Sequence, residues 1–377
     1  MDIICISIFF FGCFLFSFLE RYFTLPHIWW FFIIPFCILI AFRSLDVPDT
    51  DVYMNYFMME DADLLYYNDY GFEIGFQFLT KLIKLVVSDN YQFYFALITL
   101  INLVLIFNAV KRINKLHQEE YKVLSDSDVS PTTESTGFFS IILLTLYVAF
   151  FGLYFNSIVL RVGIAFSLVV FAVSYALKKN KKPVDYIVIL LFLILSVLFH
   201  STAILGFIII LIILFSKKHS FKFYFILLSI IAVFYFLNLT SRLGGVVFNI
   251  IASLNAFTLL SDKLSNYGGT QSLFAAEGIS IKFVFYWFMS FVLLLNDNQS
   301  KLYYKLFNVY LVGLAVFALL RSVLLVERVT DYFLLFSFVL FYLFLSQKEG
   351  VKFWMFYIGI VLVQLVFVLR IINRNII

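Results

Sequence analysis

The feature that most constrains this chain is a succession of apolar segments close to the length that crosses a bilayer. A spanning helix needs about 20 predominantly apolar residues, with 17 to 25 the usual range. By that criterion segments fall near 3–19, 28–42, 91–110, 137–155, 158–177, 185–199, 201–215, 222–239, 281–295, 305–325, 331–346 and 352–372, twelve in all. The pair 185–199 and 201–215 is short in each half. Fused, it would run to about 31 residues, too long for one span, and His200-Ser201-Thr202 marks a turn. Composition agrees: 63% of the residues are hydrophobic and 13% charged, whereas soluble domains carry about 25% charged residues. A water-soluble fold is excluded. Cys5, Cys13 and Cys37 lie inside apolar runs with no CxxC pair or Cys/His cluster, so no metal or disulfide role is expected. The first apolar stretch has no basic region ahead of it and reads as a retained span. The expected fold is an all-α polytopic integral membrane protein of about 12 transmembrane helices, a single integral domain over 1–377.

Cytoplasmic loops retain Lys and Arg, and this fixes orientation. Lys111, Arg112, Lys115 and Lys122 follow the third segment, and Lys178, Lys179, Lys181 and Lys182 the fifth. Lys217, Lys218 and Lys222 follow the seventh, Lys301 and Lys305 the ninth, Lys348 and Lys352 the eleventh. Every cluster follows an odd-numbered segment, so both termini are expected outside. The stretch 111–136 becomes a cytoplasmic linker, polar and disordered in its 117–136 part. Residues 43–90 and 240–280 become outer loops. The first of these is acidic and contains an amphipathic segment in which Phe76, Leu79, Ile83 and Val87 share a face. It is expected as a re-entrant or interfacial helix.

Charges near apolar spans are costly unless paired, solvated or used. Five such sites stand out, all on the outer side. Arg43 is followed by Asp46, Asp49, Asp51 and Tyr53, and ion pairing alone could hold that loop. Further along the same loop, within this first site, Glu73 opens the amphipathic segment, where a carboxylate also suits a helix dipole. Arg161 lies one turn inside a span, against the positive-inside tendency, unless it snorkels to the interface. His200 is the one outer-face histidine; His27, His117 and His219 fall in cytoplasmic loops. The remaining sites are Lys263 to Tyr267 and Glu327-Arg328 to Asp331-Tyr332, with Arg321 as a companion.

Taken in order, these landmarks resemble the Wzy-type bacterial polysaccharide polymerases, specifically the EpsG-like branch. The similarity runs from Arg43…Asp49-Thr50-Asp51-Val52-Tyr53 through Gly71-Phe72-Glu73-Ile74-Gly75-Phe76, Arg161-Val162-Gly163-Ile164-Ala165 and His200-Ser201-Thr202-Ala203. It continues in Lys263…Tyr267 and Arg328…Asp331-Tyr332. Val162 stands where glutamine is common, and Pro48 where glycine often precedes the acidic residue. The resemblance implies a membrane glycosyltransferase with a GT-C-like bundle in the bacterial inner membrane, its active site facing the periplasm. The growing glycan would pass from undecaprenyl pyrophosphate to a sugar hydroxyl of a lipid-linked repeat.

That chemistry assigns roles. The leaving pyrophosphate needs fixed cations, for which arginine's planar fork is suited: Arg161 and Arg328 first, then Arg43. The acceptor hydroxyl needs a base, a role suited to histidine and so to His200; Glu73 or Asp51 are the alternatives. Asp49, Tyr53, Lys263, Tyr267 and Tyr332 are expected at the glycan or lipid head group. No cofactor or metal is expected. The implied partners are the lipid-linked oligosaccharide, membrane lipids and a chain-length regulator, without nucleic acid. A lipid-linked oligosaccharide flippase is the main rival, although no internal repeat is visible; an O-antigen ligase would use the same donor.

Overall fold

The computed structural model describes residues 3–23, 28–59, 71–125, 140–238, 278–296, 300–321 and 326–372. In chain order its helices are α1 (Ile3–Tyr22), α2 (Trp30–Ala41), α3 (Thr50–Met58), α4 (Ile74–Val87) and α5 (Tyr91–Ser125). Then come α6 (Ser140–Tyr147), α7 (Leu153–Ser157), α8 (Leu160–Ala176), α9 (Pro183–Phe199) and α10 (Leu205–Phe215). The last are α11 (Phe221–Phe236), α12 (Ile281–Leu294), α13 (Lys301–Leu319), α14 (Val326–Leu334), α15 (Ser337–Leu345) and α16 (Gly350–Ile372). A π turn (Val148–Gly152) joins α6 to α7, and a 3₁₀ turn (Ser201–Ile204) precedes α10. There is no strand among the described residues.

Six stretches are long and apolar enough to cross a membrane: Ile3–Arg21, Tyr91–Glu120, Ser140–Ser157, Lys301–Leu319, Val326–Leu345 and Gly350–Ile372. Six further apolar helices run 10–17 residues. This is a multi-pass membrane protein. Each expected apolar segment coincides with one of these helices, although α2, at 12 residues, rises only about 18 Å. One expectation is corrected. The linker foreseen over 117–136 is helical as far as Ser125, because Gln, Glu and Lys are good helix formers and Lys115 pairs with Glu119 one turn on at 3.9 Å.

The chain divides into two compact units. The first comprises residues 1–214 and 341–377, the second 215–340. In the first, α6 to α8 are buried along nearly their whole length, while α1 leaves most of one side exposed. Glu20 of α1 caps α6 from outside. Its carboxylate accepts from the Ser140 N–H at 2.5 Å, the Ser140 hydroxyl at 2.6 Å and the Ile141 N–H at 2.9 Å, the groups a helix start leaves unpaired. Arg21 donates to the Lys348 carbonyl at 2.5 Å. In the second unit, Ser220, Ser280 and Ser300 each cap the helix that follows.

The amphipathic segment forms α4. Phe76 and Ile83 enter the core with Tyr53, Tyr56, Phe72 and Tyr94, and Leu79 and Val87 pack against it. Its other side is also apolar, with Ile74, Phe78, Leu82, Leu85 and Val86 exposed.

Candidate active site

Glu73 precedes α4 in extended backbone and occupies its N-cap position, yet its side chain makes no capping bond. It turns to two other helices instead. Oε2 accepts from Arg161 Nη1 at 2.5 Å, and Oε1 lies 3.0 Å from His200 Nδ1. The Ser201 N–H adds a longer contact to Oε1, at 3.4 Å. Arg161 is the second residue of α8, and His200 ends α9. Three elements thus bring a carboxylate, a guanidinium and an imidazole together. The dipole-capping and snorkelling readings of Glu73 and Arg161 give way to an ion pair.

Gly75 makes this approach possible. A Cβ there would lie 2.7 Å from the Leu198 carbonyl oxygen and 2.9 Å from its carbon. Only glycine lets α4 come that close to the end of α9, two residues before His200.

The side chains of Glu73, Arg161 and His200 keep 15%, 19% and 18% exposure, which strengthens their electrostatics relative to open water. Burial pushes the Glu73 carboxyl up, but the His200 hydrogen bond and the Arg161 charge outweigh it and hold it at about 2. Glu73 is therefore ionised at any working pH. An ionised carboxylate only accepts, so His200 donates from Nδ1. In the neutral ring this leaves the Nε2 lone pair available, with no protein partner among the described residues. The Arg161 guanidinium also covers the Phe72 ring at 4.3 Å, and its buried Nε has no partner among the described residues.

Tyr53 is 3% exposed, stacks on Phe72 at 5.5 Å and sets its hydroxyl against the Arg161 guanidinium. Arg43 is also buried. It donates to the Thr50 hydroxyl at 2.9 Å and to the Ile40 and Asn156 carbonyls at 3.2 and 3.3 Å. It stacks over Phe95 at 3.6 Å. The ion-paired loop expected around it is not found: among the described residues Arg43 has no carboxylate partner, and Asp46 is held by Ser44 at 2.7 Å. Burial pushes the Arg43 guanidinium down to about 9, and its Nη2 has no partner among the described residues. Asp49 is exposed, in left-handed backbone at φ 61°, close enough to act on Tyr53 electrostatically. Asp51 is exposed on the first turn of α3.

Beneath these groups runs a buried amide network. Asn102 of α5 donates to Asn156 Oδ1 at 2.8 Å, Asn156 donates to the Gly152 carbonyl at 2.7 Å, and Ser167 donates to Asn102 Oδ1 at 3.2 Å. The network fixes the segment that leads into Arg161. The π turn beside it is a form frequent at functional sites.

The second unit has its own polar cluster. Lys282, in the first turn of α12, lies 2.7 Å from Asp331 and 3.5 Å from Glu327. Arg321 donates to the Tyr235 carbonyl at 2.6 Å and to the Gly278 carbonyl at 2.7 Å. Tyr332 is buried, whereas Arg328 is exposed.

A family model described as the EpsG family matches residues 26–376. The chain belongs to the EpsG family. No curated protein and no solved structure matches it.

Within this EpsG-family chain, Glu73, Arg161, His200, Tyr53, Asp49 and Arg43 gather in the first unit. Arg328 and Tyr332 belong to the second. Lys263 and Tyr267 lie outside the described residues. Sequence reasoning missed Lys282, although the signal was available: a lysine at the expected outer end of an apolar segment runs against the positive-inside tendency, as Arg161 does in the same expected arrangement. It also missed Asn102, an amide within an apolar segment, which signals a buried hydrogen-bond partner.

Proposed function

We propose that this protein is a polysaccharide polymerase. It transfers a growing glycan from undecaprenyl pyrophosphate to a sugar hydroxyl of the next lipid-linked repeat, on the outer face of a bacterial inner membrane. Family membership supports the polymerase class, and the Glu73–His200 contact is the observation that carries the chemistry. His200 Nε2 takes the acceptor hydroxyl's proton as that oxygen bonds to the anomeric carbon. The bond from that carbon to the pyrophosphate oxygen breaks, and its electron pair leaves with the pyrophosphate. Glu73 is the orienter of the imidazole and the counter-charge to the imidazolium that forms; at about 2 it is too weak a base to serve in place of His200.

Arg161 stabilises the leaving charge, the kind of contribution that is usually the largest in such a reaction. Tyr53 and Arg43 hold Arg161 and the α3 loop in place. Asp49 and Asp51, exposed nearby, are the carboxylates suited to sugar hydroxyls.

The proposal includes twelve crossings with both termini outside. Residues expected at one side do contact each other: Glu20 with Ser140, Arg21 with Lys348 and Arg112 with Ser174 for the inner side. Arg43 with Asn156 and Glu73 with Arg161 and His200 do the same for the outer.

The test uses a strain lacking the chromosomal gene and carrying tagged variants. His200→Ala and Arg161→Ala should reach the membrane at wild-type level and form no polymer ladder. A wild-type ladder from His200→Ala would remove the base from this account.

A further inference from the structure

The core-facing side of α4 buries Phe76 and Ile83, and with them two polar residues, Gln77 and Thr80. Thr80 shares a hydrogen bond with the Tyr94 hydroxyl at 3.1 Å. Gln77 reaches backwards instead. Its Nε2 donates to the Phe72 carbonyl, just ahead of the helix, at 2.5 Å, and the residue is 7% exposed. A buried amide is costly unless it is hydrogen-bonded. An apolar residue would suit this face without that requirement, so packing alone gives no reason for glutamine.

The acceptor supplies the reason. The Phe72 ring lies under the Arg161 guanidinium at 4.3 Å and stacks on Tyr53 at 5.5 Å. It meets Tyr56 and Phe76 edge-on at 4.6 and 5.3 Å. These contacts hold the ring, but they do not set the peptide unit that joins Phe72 to Glu73. That unit is planar, so one hydrogen bond to its carbonyl orients it, and with it the direction in which the Glu73 side chain leaves the backbone. Glu73 has a competing position. It stands at the N-cap of α4, where the helix dipole attracts a carboxylate. Its side chain nevertheless makes no capping bond and turns to Arg161 and His200. All of these groups belong to the first unit.

We propose that Gln77 is a positioning residue: by holding the Phe72 carbonyl, it keeps the Glu73 carboxylate on Arg161 and His200 and off the start of its own helix. This deepens the polymerase reading and rests on it.

The experiment measures transfer by full-length protein in native membranes supplied with lipid-linked repeats, expressed per folded protein recovered by gel filtration. Gln77→Met keeps the length of the side chain and removes the N–H. Its kcat should fall about a hundredfold, as misplacement of a group by about 1 Å can cause. KM should stay unchanged, because the contact acts in the reacting step. In a chain carrying Glu73→Gln, which keeps the shape and an acceptor, adding Gln77→Met should cost little more. A purely structural role would lower protein level and leave the kcat of the surviving folded protein at the wild-type value. That result, or losses that simply multiply, would overturn the inference. If Gln77→Met fails to accumulate, Gln77→Asn decides. Its amide is one methylene too short to hold the Phe72 carbonyl, so it should show the same loss of kcat, and a wild-type kcat counts against the proposal. Wild-type membranes that transfer nothing would instead sink the polymerase reading, and this inference with it.

Discussion

Replacing Gly75 with alanine isolates the contact on which the site geometry depends. The added Cβ would sit 2.7 Å from the Leu198 carbonyl oxygen, where ordinary contact begins at 3.4 Å. The obstacle is backbone, so α4 or the end of α9 must yield by about 0.7 Å. Two effects on stability oppose each other. Overpacking costs about 1–3 kcal/mol, while alanine favours a helix by about 0.8–1 kcal/mol over glycine. The net loss is small enough for the protein to accumulate. Geometry is less forgiving. The Glu73–His200 contact is 3.0 Å, and the same shift along it would exceed hydrogen-bond reach. Positioned proton transfer is worth about 10²–10⁴ in rate, so polymer should fall at least about a hundredfold at near-normal protein level. The assay is a polysaccharide gel with an immunoblot of the same membranes. Gly359→Ala is the control, since its Cβ would meet nothing within 4 Å, and it should leave the ladder intact. A wild-type ladder from Gly75→Ala would refute the argument that this close approach sets the His200–Glu73 geometry.

Glu73 has a folded pKa of about 2 against an ordinary 4.5. Its contribution to stability should be complete above pH 4.5 and lost as pH falls toward about 2; heat-aggregation midpoints of the wild type that do not fall relative to Glu73→Gln in that window would contradict the ion pair. Gly163→Ala should lower protein level by overpacking, worth about 1–3 kcal/mol, because its Cβ would approach Phe155 Cβ at 2.9 Å and Asn102 Nδ2 at 3.1 Å; unchanged thermal stability would count against that packing. Asn102→Leu should lower the unfolding midpoint by stranding Asn156 Oδ1, at a cost of about 1–3 kcal/mol, and an unchanged midpoint in detergent would show the amide network to be dispensable. Arg43→Lys should reduce polymer, since an ammonium cannot reproduce the fork shared among Thr50, two carbonyls and the Phe95 face; a wild-type ladder would show that charge alone suffices there.

Periodicity and length made the apolar helices legible, as did α4, because burying an apolar face is a property of the local pattern. The core-facing set Phe76, Leu79, Ile83 and Val87 was visible for that reason. The opposite stripe from Ile74 to Val86 was not singled out, because a helix apolar on both sides has no single face. The cluster around Glu73 was legible only as a list of costly residues on one side. Which carboxylate meets which cation depends on helices far apart in sequence: Glu73 lies 88 residues from Arg161 and 127 from His200. Proximity in sequence misled at Arg43, whose near neighbours Asp46, Asp49 and Asp51 suggested ion pairs. Its guanidinium turns inward to Thr50, backbone carbonyls and a ring. Lys282 was overlooked because a single lysine at a helix start looks like a flank until its carboxylate partners come into view.

The central claim is polymerisation, and the most direct measurement is the polysaccharide displayed by a strain lacking this gene, resolved by gel. The account expects the ladder to collapse to a single-repeat species, since export and attachment continue without chain growth. Loss of all surface repeats, with lipid-linked units held on the inner side, would contradict it and assign the protein to transport.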